Sequence, residues 1–227
     1  MAEHHPTSIQ DLANRFAEDG VSFGKMADAK MPFTRPSKSE ALAQGFHVRL
    51  ASVLLTMVPS QGQWSLVLMK RPEYPGVHSG QISIPGGEVE AEDTDDLSTA
   101  LREFEEEMGV MVRRDDVIAN LTERYIPTSK FAVKPFIAVL DRMPIWKIDS
   151  NEVAEVVIVP VMDLLPDDAL RSTAIEMGKD QNQAIHLPAY CFEEHIIWGA
   201  TAIMLAEFVA AWKKTFPDPV ASALAVR

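Results

Sequence analysis

The segment 93–109, DTDDLSTALREFEEEMG, constrains this chain most, because its pattern predicts an amphipathic helix with a concentrated acidic flank. Asp93 or Thr94 can cap the start, and Gly109 stands where a left-handed residue ends a helix. Four apolar residues recur at helical spacing, so one face is expected to pack on a core. They are Leu97, Leu101, Phe104 and Met108. The segment therefore predicts a core-packed helix over about 95–108.

Three glutamates of this helix share one flank. At about 100° per residue, Glu103, Glu106 and Glu107 fall within an arc of about 100°, whereas Glu105 points elsewhere. Like charges at this spacing destabilise a helix by roughly 0.2–0.5 kcal/mol per pair. Converging carboxylates suit Mg²⁺ or Mn²⁺, which prefer oxygen ligands and would reverse that repulsion. A solvated acidic face is the competing interpretation, and it is the commoner one for an acidic helix alone.

Charge and composition narrow the classes of partner. The chain has 33 Asp and Glu against 21 Lys and Arg, a net charge of −12, so it gains little from counterion release on a nucleic acid. No apolar run is long enough to cross a bilayer, and the N-terminus lacks the pattern of a secretion signal. Cys191 is the single cysteine, which suits a reducing compartment. We expect a cytoplasmic protein with neither a nucleic-acid nor a membrane partner.

The other segments mix strands and helices without strict alternation, which predicts an α+β fold. Strands are expected near 47–57, 64–70, 81–84, 117–124, 133–140 and 154–159, and helices near 8–17, 161–165 and 197–214. Residues 167–188 are poorly patterned and are expected to form loops with brief structure. This order favours an α/β/α sandwich with a mixed β-sheet between helices. We predict a leader at 1–45 with a short helix, one domain at 46–215 and a tail at 216–227.

The acidic helix and the loop before it resemble the Nudix box, whose core reads REUxEExGU with U apolar. The matching positions are Arg102, Glu103, Phe104, Glu106, Glu107, Gly109 and Val110. Gly87 and Asp93 lie one residue further upstream than in the common box, and the coenzyme A pyrophosphatase branch has the same longer loop with Asp.

Residues 66–87 are also similar to that branch's signature, although Ile84 replaces its usual Phe and Pro72 its frequent Ser. The agreeing positions there are Arg71, His78, Gly80, Gln81, Pro85, Gly86 and Gly87. Residues 196–208 look like the last helix of the branch.

The resemblance implies a Nudix fold and Mg²⁺-dependent (or Mn²⁺-dependent) hydrolysis of coenzyme A, or of its thioesters, to 3′,5′-ADP and 4′-phosphopantetheine. It implies that Glu103, Glu106 and Glu107 bind the metal with the Gly87 carbonyl, and that Glu103, Glu106 and Arg102 serve catalysis, Arg102 by orienting the carboxylates. The implied substrate-binding residues are Arg71, His78, Gly80, Gln81 and Gly86. A homodimer is also implied. The general base stays open among Glu103, Glu152, Glu155, Glu176 and Glu193.

Other interpretations accompany this one. The same chemistry on ADP-ribose, NADH or a nucleoside triphosphate is the first alternative, and a nucleotide-sensing Nudix domain without activity is the second. Sensors commonly lose box carboxylates, which are present here. Arg71 could equally be a solvated strand end, and His78 and the glycines could serve turns. Phe131, Trp146 and Trp198 could stack on adenine, but core packing is the default for each.

Overall fold

A mixed eight-stranded β-sheet lies at the centre of the fold. The structure is a computed structural model, and it describes residues 9–32, 34–74, 79–176 and 184–224. Its strands are β1 (Arg49–Ser60), β2 (Gln63–Lys70), β3 (Ile82–Ser83), β4 (Gly86–Glu88), β5 (Val117–Asn120), β6 (Arg124–Ile126), β7 (Phe131–Val139) and β8 (Glu155–Pro160). The strand order is β3-β2-β1-β7-β5, with β4 beside β1, β6 beside β7 and β8 beside β2. β1 runs parallel to β7, and the other ladders are antiparallel. The predicted mixed sheet is confirmed.

Helices cover both faces of this sheet. They are α1 (Ile9–Asp28), α2 (Lys38–Ala43), α3 (Asp96–Met108), α4 (Val161–Leu164), α5 (Gly199–Thr215) and α6 (Pro219–Leu224). Successive strand residues point to opposite faces. Leu54 of β1 therefore packs in one core with Phe104 of α3, while Leu55 packs in the other core with Phe208 of α5. The predicted α/β/α sandwich of the α+β class is confirmed.

A second, antiparallel sheet occupies part of the region predicted as loops. Its strands are β9 (Leu170–Glu176), β10 (Ala184–Phe192) and β11 (His195–Trp198), with β10 in the middle. The loop prediction is therefore wrong for these described residues. Proline lacks an N–H and normally argues against a central strand, yet Pro188 pairs with Ser172 in this sheet. Tyr190 and Ile197 anchor the sheet in the core that contains α5.

The N-terminal helix is longer than predicted. It continues to Asp28 instead of ending near Ala17, and the predicted capping residue Ser8 lies outside the described residues. Leu12 and Phe23 are buried in the core shared with α5, so this helix of the N-terminal segment packs onto the domain. Across the described ranges, no helix combines the length and the apolar character needed to span a bilayer.

Candidate active site

The acidic helix α3 forms where the sequence predicts it. Its N-cap is Asp95, not Asp93 or Thr94: the Asp95 carboxylate accepts a hydrogen bond from the Ser98 backbone N–H at 2.7 Å. The helix ends at Gly109, whose φ of 66° is left-handed. Phe104 is fully buried, which fixes how the glutamate flank is oriented on the sheet.

The structure brings Glu103 and Glu107 together and adds Glu152 from the loop before β8. Carboxylate oxygens of these three residues lie within 4.8 Å of one another. Glu106 is not in this group, although the sequence predicted that it would be. Its side chain is 58% exposed and accepts a hydrogen bond from Arg102 Nη1 at 3.1 Å, because an i,i+4 pair of opposite charge forms readily on a helix. Glu105 is exposed, as predicted.

Burial dominates the electrostatics of this cluster. It raises the pKa of Glu107 to about 8, opposed by the charge of Arg71 and by a 2.7 Å hydrogen bond from the Gly86 N–H. It also raises the pKa of Glu103, opposed by Arg102. A divalent cation would offset the desolvation and mutual repulsion of these carboxylates, and an all-oxygen donor set fits a hard ion such as Mg²⁺. The residues present therefore fit the implied metal.

The Arg102 guanidinium is held by hydrogen bonds to carboxylates and to one backbone carbonyl of the site. Its Nε and Nη2 donate to Asp93 at 3.0 and 2.9 Å, and Nη2 also donates to the Glu88 carbonyl at 3.2 Å. Its Nη1 donates to Glu103 at 2.9 Å as well as to Glu106. Arg102 thus links the loop before α3 to two carboxylates of the helix.

Two glycines bring the β4 backbone close to its neighbours. Gly86 has a φ of 145°, and an added Cβ would overlap the Ser52 carbonyl oxygen and Val53 of β1. At Gly87 an added Cβ would overlap the Glu103 carboxylate. Glycine is therefore required at the first position by the fold and at the second by the site.

The other predicted substrate residues are divided between a cleft and a turn. Arg71 and Gln81 line the cleft described next, and the Arg71 N–H donates to the Gln81 carbonyl at 3.0 Å. Gly80 has a φ of 65° and its N–H donates to the Pro72 carbonyl at 3.1 Å, so it shapes a turn. His78 lies outside the described residues.

A cleft of about 870 Å³ opens beside the cluster, at Gly86 and Gly87. Its walls come from β4, residues 31 and 34–36 after α1, the β6–β7 turn, β10 and the start of α5. Phe131 and Trp198 line it, whereas Trp146 packs edge-on against Phe104 with ring centroids 6.5 Å apart. Walls of this kind can enclose an apolar or aromatic part of a ligand whose charged part reaches the carboxylates.

The structure separates the candidates for the general base. Glu152 belongs to the carboxylate cluster. Glu155 lies 3.4 Å from the buried His195 and belongs to another group with Glu194. Glu193 is exposed in the turn between β10 and β11, and the side chain of Glu176 is outside the described atoms. Sequence spacing offered no signal that would select Glu152, because it lies 45 positions from Glu107.

The fold is an α/β/α sandwich of the α+β class. Its carboxylate cluster can bind a divalent cation, and the large cleft beside the cluster can hold a small-molecule ligand. The chain belongs to the Nudix hydrolase family: the NUDIX domain model matches residues 48–179, more than half of its length.

Named relatives support the same membership. The chain is 34% identical over 182 residues to "Nudix hydrolase 15, mitochondrial" of Arabidopsis thaliana and 32% identical over 201 residues to "Nudix hydrolase 22, chloroplastic" of the same organism. These alignments cover 78% and 86% of this chain, but 62% and 66% of the two plant proteins. It is also 31% identical over 157 residues to "Mitochondrial coenzyme A diphosphatase NUDT8" of Homo sapiens, covering 68% of this chain and 65% of that protein.

Proposed function

We propose that the chain hydrolyses the diphosphate linkage of coenzyme A, or of its thioesters, and releases 3′,5′-ADP and 4′-phosphopantetheine. The observation that carries this proposal is the cluster of Glu103, Glu107 and Glu152 next to Gly86 and Gly87, which line the 870 Å³ cleft. Such a volume is near the upper end of the range for small-molecule sites, which suits a large, elongated substrate. The loop with Asp93 and the similarity to a human coenzyme A diphosphatase support the choice of substrate.

Glu103 and Glu107 would hold Mg²⁺ or Mn²⁺, with the Gly87 carbonyl as a further predicted ligand and with Glu152 beside them. When bound, the ion would neutralise charge on the diphosphate and lower the pKa of the attacking water. Glu106 stays a predicted ligand, because a bound ion would attract its exposed carboxylate away from Arg102.

The chain's own groups then position and deprotonate the reactants. Arg71 lies on the cleft wall and acts electrostatically on Glu107, which supports the inference that its guanidinium binds a phosphate oxygen. Arg102 holds Glu103 in place. We assign the proton of the attacking water to Glu152, since it is the cluster member on an exposed loop. Water adds to one phosphorus, and the bridging oxygen leaves with the other phosphate.

The test is a panel assay with purified protein, Mg²⁺ and equal concentrations of coenzyme A, an acyl-coenzyme A, ADP-ribose and NADH, ranked by kcat/KM. Release of 3′,5′-ADP from coenzyme A that is abolished by EDTA and by Glu107→Gln is expected. A higher kcat/KM for ADP-ribose or NADH would replace the substrate assignment, and no turnover of any compound would contradict hydrolysis itself.

The expected homodimer and cytoplasmic location stay predictions. Light scattering of the purified chain checks the first, and cell fractionation checks the second.

A further inference from the structure

A second group of potential metal ligands lies apart from the carboxylate cluster. Glu155 begins β8, Glu194 lies in the turn between β10 and β11, and His195 begins β11. One ligand atom from each of these three residues lies within 4.8 Å of the other two, and the group shares no residue with the carboxylate cluster. It therefore joins a strand of the eight-stranded sheet to a hairpin of the three-stranded sheet.

His195 gives this group a buried imidazole. Its side chain is 3% exposed, and its Nε2 lies 3.4 Å from Glu155 Oε1. Within the described ranges this is the only polar contact of the imidazole, and it is not a hydrogen bond. A buried polar group without a hydrogen bond costs free energy on folding. A bound cation would remove that cost, because a neutral imidazole nitrogen is a common metal ligand.

The hairpin turn holds Glu194 beside this imidazole. Phe192 pairs with His195 at the end of the β10–β11 ladder, so only two residues connect the strands. The first of them, Glu193, has a left-handed φ of 50°. Glu194 is the second and is exposed, so its carboxylate can adjust to an ion by side-chain rotation alone.

The donor set and its spacing fit a tetrahedral transition-metal ion. Two ligand atoms about 2.0–2.1 Å from one tetrahedral ion lie about 3.3–3.4 Å apart, which matches the 3.4 Å between His195 Nε2 and Glu155 Oε1. An imidazole nitrogen suits Zn²⁺ and similar ions, whereas Mg²⁺ prefers oxygen ligands. Three protein ligands leave one tetrahedral position for water. The group thus differs chemically from the all-oxygen carboxylate cluster.

We propose that Glu155, Glu194 and His195 form a second metal site, which takes a Zn²⁺-type ion and fastens the β10–β11 hairpin to β8. Trp198, at the end of the hairpin, lines the cleft. Glu155 follows Glu152 of the carboxylate cluster by three positions. A bound ion therefore fixes two elements that border the proposed active site. This inference goes beyond coenzyme A hydrolysis and does not depend on it.

The experiment measures Zn²⁺ binding to the purified, metal-free chain by equilibrium dialysis in the presence of excess Mg²⁺. Glu155→Gln and Glu194→Gln each remove an exposed ligand, and His195→Gln removes the buried one. Glu193→Gln is the matched control, since Glu193 is an exposed glutamate of the same turn outside the group. Thermal unfolding followed by circular dichroism confirms that each variant is folded.

The wild type and Glu193→Gln are expected to bind Zn²⁺ equally, whereas Glu155→Gln and Glu194→Gln weaken binding at this site at least about tenfold. Zn²⁺ should also raise the Tm of the wild type and of Glu193→Gln more than that of Glu194→Gln. The exposed variants keep the test decisive even if His195→Gln does not fold.

Two outcomes would overturn the site. Unchanged Zn²⁺ affinity in Glu194→Gln is the first, because a plain ion pair between His195 and Glu155 needs neither Glu194 nor a metal. An equal loss of affinity in Glu193→Gln is the second, because the negative charge of the turn alone would then attract the ion.

Variants at each site separate the second metal site from the carboxylate cluster, which can also bind Zn²⁺. Glu107→Gln is expected to leave the Glu194-dependent binding intact, and the double variant Glu107→Gln with Glu194→Gln is expected to lose both classes of binding. If Glu107→Gln alone removed all Zn²⁺ binding, the second site would be overturned. Absence of coenzyme A hydrolysis would contradict only the proposed function, because dialysis requires no turnover.

Discussion

Arg102 and Asp93 form a two-point ion pair, with Nε donating to one carboxylate oxygen at 3.0 Å and Nη2 to the other at 2.9 Å. Asp93 is 4% exposed and also accepts hydrogen bonds from Thr99 Oγ1 at 2.8 Å and from the Glu90 backbone N–H at 2.9 Å. The loop before α3 is therefore fastened to the arginine that holds Glu103 and Glu106. This gives a physical role to the aspartate of the longer loop, which positions the carboxylates through Arg102.

We expect Asp93→Asn to lower the free energy of unfolding at pH 7 by about 1.5–3 kcal/mol, because a buried, charge-assisted pair is lost. Arg102 holds the pKa of Asp93 well below its usual value of 3.8. The stabilisation is therefore fully present above about pH 4 and is lost as the pH falls further. Urea unfolding at pH 7 and pH 3 should show the difference between wild type and Asp93→Asn shrinking at pH 3. Asp141→Asn, at an exposed position, is the control, and a difference independent of pH would contradict the pairing.

Glu107 gives the opposite pH dependence in protein freed of metal by EDTA. Its pKa is raised from 4.5 to about 8, chiefly by burial, so the folded state retains a proton that the unfolded state loses. The wild-type free energy of unfolding should therefore fall between about pH 4.5 and pH 8, and Glu107→Gln should lack this contribution. Denaturant unfolding across that range checks it. Adding Mg²⁺ at pH 8 should stabilise the wild type more than the variant, and parallel pH curves would refute the burial argument.

Substitutions of glutamates on helix α3 should affect activity differently according to whether the residue belongs to the carboxylate cluster. Glu103→Gln and Glu107→Gln each remove a carboxylate of the cluster and should lower kcat/KM by at least about 100-fold. Glu105→Gln is the matched control, since Glu105 is exposed on the same helix and should stay within about twofold of wild type. Activity across a Mg²⁺ titration is the measurement. Similar losses in all three variants would indicate that helix charge, rather than the cluster, controls activity.

Neighbouring glycines should respond differently to alanine. At Gly86 the added Cβ meets backbone atoms of β1 and the φ of 145° is strained, so Gly86→Ala should destabilise the fold by about 3 kcal/mol or more. At Gly87 it meets a movable side chain, Glu103, so stability should change by about 1 kcal/mol or less. Displacing that carboxylate should nevertheless reduce kcat/KM at least about tenfold. Thermal unfolding combined with kinetics distinguishes the two, and equal stability losses would refute the distinction.

The sequence pattern predicted the structure correctly where a single segment determines it. Helical spacing predicted α3, its buried stripe and the exposed Glu105, and Gly109 marked its end. Spacing could not place Glu152 at the cluster, because the fold brings it there from a separate loop. It also could not show that Glu106 turns to Arg102, since the helix geometry allows several side-chain directions.

Two further differences have tertiary causes. α1 passes through two glycines that locally discourage a helix, but at Gly24 any Cβ would overlap Thr122, so close packing explains the residue. β10 contains Pro188, which pairs with Ser172 of β9 and lies one residue before the ladder with β11 begins at Ala189, so the strand tolerates it. Contacts between distant segments decide both outcomes, and no local pattern encodes them.

A buried charge network fixes the N-terminal segment to the domain. Glu207 of α5 is fully buried and accepts hydrogen bonds from Thr122 N at 2.8 Å, Thr122 Oγ1 at 2.7 Å and Arg124 Nη2 at 2.7 Å. Arg124 in turn bonds Asp28 and the Gly24 carbonyl of α1. Since one guanidinium joins α1, β6 and α5, removal of its buried partner Glu207 should leave its charge compensated only by the more exposed Asp28.

We expect Glu207→Gln to lower the free energy of unfolding by about 3 kcal/mol or more, because breaking one partner of a buried ion pair leaves the other desolvated. Asp167→Asn is the contrast, since Asp167 is fully exposed to solvent in its 2.7 Å pair with Lys213, which should contribute little to stability. Urea unfolding at pH 7 measures both. If the two substitutions destabilised the protein equally, the network would be no stronger than a surface ion pair, and the attachment of α1 would depend on its apolar contacts with α5 instead.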